Sequence, residues 1–166
     1  VRTYDEMVKA GVDFFTLGNH AFSKSNEAKI LMERKESLIR PANMLPKDLP
    51  GEGLAIVRTR SGEKIAIINI MGKVYMDDVE DPFKCVEELV KKAKETTNII
   101  IVDFHAEATS EKIALGRYVE GRASLVFGTH THVPTADAGV LPRGTGYVTD
   151  LGMTGPKNSV LGVQPK

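Results

Sequence analysis

The chain has 166 residues, 42% hydrophobic and 27% charged, enough to fill the core of one domain. Its 22 Lys and Arg balance 22 Asp and Glu, so no long-range field draws nucleic acid or membrane, and attraction for phosphate has to be local to a site. The longest apolar runs, 65–70 and 99–102, are too short to span a bilayer, and the opening residues carry no signal-peptide pattern. The single cysteine, Cys85, excludes an intramolecular disulfide and fits a reducing, cytoplasmic location.

In chain order, residues 3–10 place Tyr4, Met7 and Val8 at helical spacing, and Gly11 is a natural stop. Residues 13–17 form a short β-prone run that ends in Gly18-Asn19-His20. A second helix is predicted over 26–35, and 40–50, broken by three prolines, reads as loop. Residues 54–59 and 64–70 flank Arg60-Ser61-Gly62-Glu63 as a β-hairpin. The clearest helix is 81–95: Asp81 can cap it, Pro82 fits its first turn, and Phe83, Val86, Leu89, Val90 and Ala93 share one face. Residues 98–104 form a continuous apolar strand of the kind buried on both faces. A helix over 109–119 is predicted with Thr109 as its cap and Glu111 near its positive end. A strand over 124–127 runs into Gly128-Thr129-His130-Thr131-His132, and 140–141 with 147–149 bracket a second hairpin. Strands alternating with helices predict an α/β layered domain with a mixed sheet, residues 1–166 forming one unit.

The four histidines, His20, His105, His130 and His132, each follow a predicted strand. Loops beyond strand C-terminal ends converge on one sheet edge, where ligands bind, so one site is predicted. Neutral imidazole is a leading ligand for transition metals. On an extended segment His130 and His132 face one side and Thr131 the other, free to donate a hydrogen bond. The Asn19 carbonyl oxygen can bind a divalent ion, which leaves His20 as acid or charge stabiliser. Glu107 is placed either to orient an imidazole or to favour a helix start. Serine-hydrolase, phosphate-loop and zinc-finger patterns are missing from the sequence.

Gly18-Asn19-His20, His105 and Gly128-Thr129-His130-Thr131-His132 together resemble the later half of the calcineurin-like metallophosphoesterase signature. Residues 16–20 (TLGNH), 40–43 (RPAN), 103–112 (DFHAEATSEK), 128–133 (GTHTHV) and 149–155 (TDLGMTG) resemble, more narrowly, the YmdB-like phosphodiesterases. The resemblance implies an α-β-β-α sandwich with mixed sheets, incomplete at its N-terminal side. It implies hydrolysis of phosphodiesters, 2′,3′-cyclic nucleotides above all, at a dinuclear centre of iron, manganese or zinc. Asn19, His105 and His130 would bind one metal, His132 the other, and His20 would protonate or stabilise the leaving oxygen.

The family also carries an Asp on its first strand and a bridging carboxylate on its second. Before Gly18 this sequence offers Asp5, Glu6 and Asp13, in a helix and at a strand entrance. The expectation is a partial domain that holds one metal weakly and a second hardly at all. A non-catalytic module that keeps part of the site and binds RNA or a regulatory partner is the alternative. A homo-oligomer covering exposed sheet edges is a further expectation.

Overall fold

In chain order the elements are α1 (Arg2–Lys9), β1 (Phe15–Thr16), α2 (Ser25–Met32), β2 (Leu38–Ile39), β3 (Leu54–Arg58), β4 (Lys64–Met71), α3 (Pro82–Lys94), β5 (Ile100–His105), α4 (Thr109–Tyr118), β6 (Leu125–Thr129), β7 (Gly139–Val140) and β8 (Gly146–Val148). The computed structural model describes residues 2–23, 25–33, 37–156 and 158–165.

The apolar runs β4 and β5 pair in parallel at the centre of a six-stranded sheet of order β3-β4-β5-β6-β8-β7. β6 and β8 continue the parallel set, whereas β3 and β7 are antiparallel edge strands supplied by the two hairpins. Alternation along each strand divides the sheet into two faces. Ala66, Ile68 and Ile70 of β4, Ile100, Val102 and Phe104 of β5, and Val126 of β6 are buried against Val86, Val90 and Ala93 of α3 and Leu115 and Val119 of α4. Burying each of the larger side chains contributes about 2 kcal/mol. Phe104, fully buried in this layer, is the residue whose truncation to Ala would leave the largest void, at a cost of about 3–5 kcal/mol.

α3 forms as its sequence prescribes. Asp81 accepts from Phe83 N at 2.9 Å and Lys84 N at 3.3 Å, Pro82 opens the first turn, and Lys91, Lys92 and Lys94 lie at the negative end of the helix dipole. α4 departs from expectation. Its N-cap is Ala108 with no side-chain cap bond, not Thr109. Glu111 reaches out of the helix to accept from Lys73 N at 2.9 Å and Val74 N at 3.2 Å, fixing the loop after β4.

The opposite face meets a second, two-stranded parallel sheet of β1 and β2. Asn69 of β4 donates from Nδ2 to Leu17 O at 2.5 Å, and Asp103 of β5 accepts from the Thr16 hydroxyl. α2 packs against β2 through its buried Ala28 and Met32. Helices, large mixed sheet, small sheet and helix together make the layered α/β arrangement that the sequence predicts. The strand predicted over 13–17 shrinks to two residues, β2 was not predicted, and residues 34 and 35 of the expected second helix lie outside the described residues. Among the described residues no helix is long and apolar enough to cross a membrane.

Candidate functional site

β5 ends on His105 and β6 on Thr129, and their parallel register sets these two residues side by side. Parallel strands present adjacent residues to the same face, so the two side chains meet: His105 Nδ1 lies 3.0 Å from Thr129 Oγ1. The Thr129 hydroxyl donates to Asp103 Oδ1 at 2.8 Å, two residues back on the same face of β5.

The loop after β1 delivers Asn19, whose Oδ1 stands 3.1 Å from His105 Nε2. Gly18 makes the approach feasible, because a Cβ there would sit 2.3 Å from His105 Cε1 and Nε2. His20 is exposed at the rim of the cleft, with Ser23 Oγ 3.2 Å from its Nδ1.

The loop after β6 delivers the other two histidines. His130 Nδ1 is 3.2 Å from His105 Nε2, the rings meeting edge to face at 4.9 Å, and His130 Nε2 is 3.2 Å from Glu107 Oε2. Glu107 thus orients an imidazole. The segment is not extended as expected. His130 has φ 106° and His132 φ 65°, left-handed values that non-glycine residues adopt only when their surroundings hold them. Asp150 does the holding. Its Oδ2 accepts from Thr131 N at 3.3 Å and Thr131 Oγ1 at 2.8 Å, and pairs with Lys112 Nζ at 2.6 Å, both charged side chains being 2% exposed.

These segments enclose a cleft of about 400 Å³ lined by Gly18, Asn19, His20, His105, Glu107, His130, Thr131, His132 and Leu161. Asn19 and all four histidines line it, as do Glu107 and Thr131. Asp13 instead pairs with Arg60 at 3.8 Å, and neither it nor Asp5 or Glu6 of α1 lines the cleft.

Burial, reinforced by His130, Lys112 and His20, lowers the His105 imidazole to about 4, so it is neutral at pH 7. Burial also lowers His130, with Glu107 opposing. Asp103 is pushed up to about 6 by burial, against the pull of the Thr16 and Thr129 hydroxyls. Burial raises Asp150 too, but Lys112, Gly152 N–H and Thr131 together hold it below the usual carboxylate range.

Among the described residues no three His, Cys, Asp or Glu side chains gather as a metal cage. The converging set is one amide oxygen and two imidazole nitrogens, with neighbouring atoms 3.1 and 3.2 Å apart. Ligands adjacent on an ion with bonds of about 2.1 Å stand roughly 3 Å apart, so the donor set fits a transition metal in chemistry and spacing. Sequence reading missed Thr129, Asp103, Lys112, Asp150 and Leu161 as parts of this site. The 103–112, 128–133 and 149–155 motifs contain the first four, but nothing local marks Lys112 as buried.

The model of the YmdB-like protein family matches residues 1–166. A 2′,3′-cyclic-nucleotide 2′-phosphodiesterase of Bacillus subtilis is 46% identical over 162 residues, which cover 98% of this chain and 60% of that protein. The crystal structure of a hypothetical protein from Thermus thermophilus superposes with a TM-score of 0.88 at 45% identity, covering 97% of this chain and 62% of the other. That of a phosphatase from Mycoplasma pneumoniae gives a TM-score of 0.86 at 37% identity, covering 98% and 58%. The chain spans about 60% of the length of the curated relatives it matches.

Proposed function

This chain belongs to the YmdB-like protein family, and from that premise we propose that the protein is a metal-dependent phosphodiesterase acting on cyclic nucleotides, 2′,3′-cyclic ones first. The observation that carries the reading is the meeting of Asn19 Oδ1, His105 Nε2 and His130 Nδ1 in a cleft that all four histidines line. The name of the Bacillus subtilis relative supports the substrate class.

Asn19, His105 and His130 are assigned to one ion and His132 to a second, with iron, manganese or zinc suiting the mixed imidazole and amide set. Bound metal supplies Lewis-acid neutralisation of the phosphoryl oxygens. The chain's own residues do the rest. Gly18 lets the Asn19 amide stand against the His105 ring, Asp150 presents the two histidines of the β6 loop, and Glu107 steadies His130. His20, placed at the rim and outside the converging set, donates a proton to the sugar oxygen as its bond to phosphorus breaks. A cytoplasmic location belongs to this reading, as does an RNA end bearing the same cyclic group as a related substrate. A homo-oligomer that covers the exposed sheet edges also belongs to this reading, and a mass measurement in solution tests it.

The test pairs metal analysis with hydrolysis of 2′,3′-cyclic AMP. Stoichiometric metal with every phosphodiester left intact removes the activity. His20→Ala is expected to lower kcat about 100-fold or more at unchanged metal content. Equal loss of metal would move His20 into the ligand set.

A further inference from the structure

Both ring nitrogens of His105 have neighbours, and the neighbours decide where its proton sits. Thr129 Oγ1 lies 3.0 Å from Nδ1 and donates its one hydroxyl hydrogen to Asp103 Oδ1 at 2.8 Å. A hydroxyl whose hydrogen is committed can only accept from the ring, so Nδ1 carries the imidazole hydrogen. A neutral ring then has none for Nε2. Yet Nε2 faces Asn19 Oδ1 at 3.1 Å and His130 Nδ1 at 3.2 Å. His130 repeats the pattern. Its Nε2 lies 3.2 Å from the Glu107 carboxylate, which accepts the ring hydrogen and leaves Nδ1 with a lone pair. Three lone pairs therefore face one another, and two of them are fixed by partners behind their rings.

We propose that Thr129 is a positioning residue whose hydroxyl, committed to Asp103, locks His105 as the Nδ1–H tautomer and turns the Nε2 lone pair into the cleft toward Asn19 and His130. Asp103 is 2% exposed and also accepts from the Thr16 hydroxyl, so its carboxylate is held from two strands and cannot turn away from Thr129. The β5–β6 register is what puts Thr129 in reach of His105. A valine there would match the shape and offer no acceptor. What the lone pair is for rests on the metal reading above; the tautomer itself does not.

Long-range 1H–15N correlation spectra of the metal-free protein at pH 8, with the His105 signals identified by their loss in His105→Gln, read the tautomer directly. The expected result is Nδ1–H in the wild type, a shift toward Nε2–H in Thr129→Val, and recovery of Nδ1–H in Thr129→Ser. A wild-type His105 protonated on Nε2 overturns the proposal whatever the variants do, and so does a Thr129→Val spectrum identical to the wild type. Thermal melts check that Thr129→Val is folded; if it is not, Thr129→Ala decides by the same spectrum. Manganese binding by calorimetry is expected to weaken about 10-fold in Thr129→Val and to recover in Thr129→Ser. A tautomer that shifts while manganese affinity stays level supports Thr129 in this role and removes the metal reading instead.

Discussion

The loop after β6 and the loop after β1 both carry histidines to the cleft, but they are held from opposite sides. The β6 loop is pinned from behind: Thr131 is bound twice by Asp150, Leu151 N donates to Gly128 O at 3.0 Å, and Met153 N donates to His132 O at 3.2 Å. That backing lets two histidines keep left-handed backbone, a strain of about 1–3 kcal/mol at each. The β1 loop springs from a strand of two residues, and among the described residues its backbone bonds after Leu17 are turns within itself, Ala21 N to Gly18 O and Ser23 N to His20 O. Its register is set in front, by Asn19 and Gly18 lying against His105. One half of the cleft is therefore a property of the core, and the other half a property of what the cleft's own side chains touch.

The largest effect should come from removing the backing. Asp150→Asn leaves the buried Lys112 ammonium without its carboxylate and should cost about 3–5 kcal/mol in urea denaturation. Adding Lys112→Met should recover most of that loss. A single-variant cost under about 1 kcal/mol would mean that the pair does not hold the loop.

Gly18→Ala attacks the other loop. The new methyl would overlap the His105 ring, and a loop whose described backbone bonds after Leu17 are local turns should swing away at a stability cost of only about 1 kcal/mol. The same displacement should reduce kcat/KM about 100-fold, because the reacting groups lose their alignment. A large loss of stability with normal turnover would reverse the assigned contrast.

Acid probes the residue between the loops. His105, lowered to about 4, resists a proton that the unfolded chain takes up near 6.5, so its contribution is present above pH 6.5 and is lost as pH falls toward 4. Asp103, raised to about 6, has the opposite sign: from 6 down to 3.8 the folded state binds the proton first, and stability gains. His105→Gln should therefore lose less stability than the wild type between pH 7 and pH 4.5 when both are measured with chelator. An equal loss in the two proteins would place the acid response elsewhere.

The smallest effect serves as a reporter. Cys85 on α3 is pushed up to about 11, by burial first and then by Glu80 and Glu88, so at pH 8 only about 0.1% is thiolate. Alkylation should be slow in the wild type and in Gly18→Ala, and faster in Asp150→Asn, where global opening is more frequent. Equal rates in the two variants would erase the distinction between backing and front contacts.

Much of this was legible where one signal sufficed. The capped helix at Asp81, the apolar runs of β4 and β5 and the hairpin between β3 and β4 carry their own periodicity and turn residues. Strand ends alone predicted one site for the four histidines and Asn19, but at the edge of a single sheet; Asn19 and His20 follow β1 of the small sheet and meet the others across the layers. β2 was hidden because Leu38 and Ile39 form too short a run to show a period, and their strand exists only through pairing with Phe15 and Thr16. Lys112 was hidden because a lysine in a helix ordinarily reaches solvent, and its burial depends on Asp150, 38 residues away. The turned backbone at His130 and His132 was hidden for the same reason.

The parallel register of β5 and β6 has a consequence in time. The contacts that close the cleft join residues 86 and 25 positions apart, and parallel strands cannot meet until their crossover has been laid down. No hairpin or single helix among the described residues contains two of the three converging atoms. A nascent or half-folded molecule therefore holds Asn19, His105 and His130 as separate side chains. Cleft assembly is expected late in folding, when the β5 and β6 amides become slow to exchange.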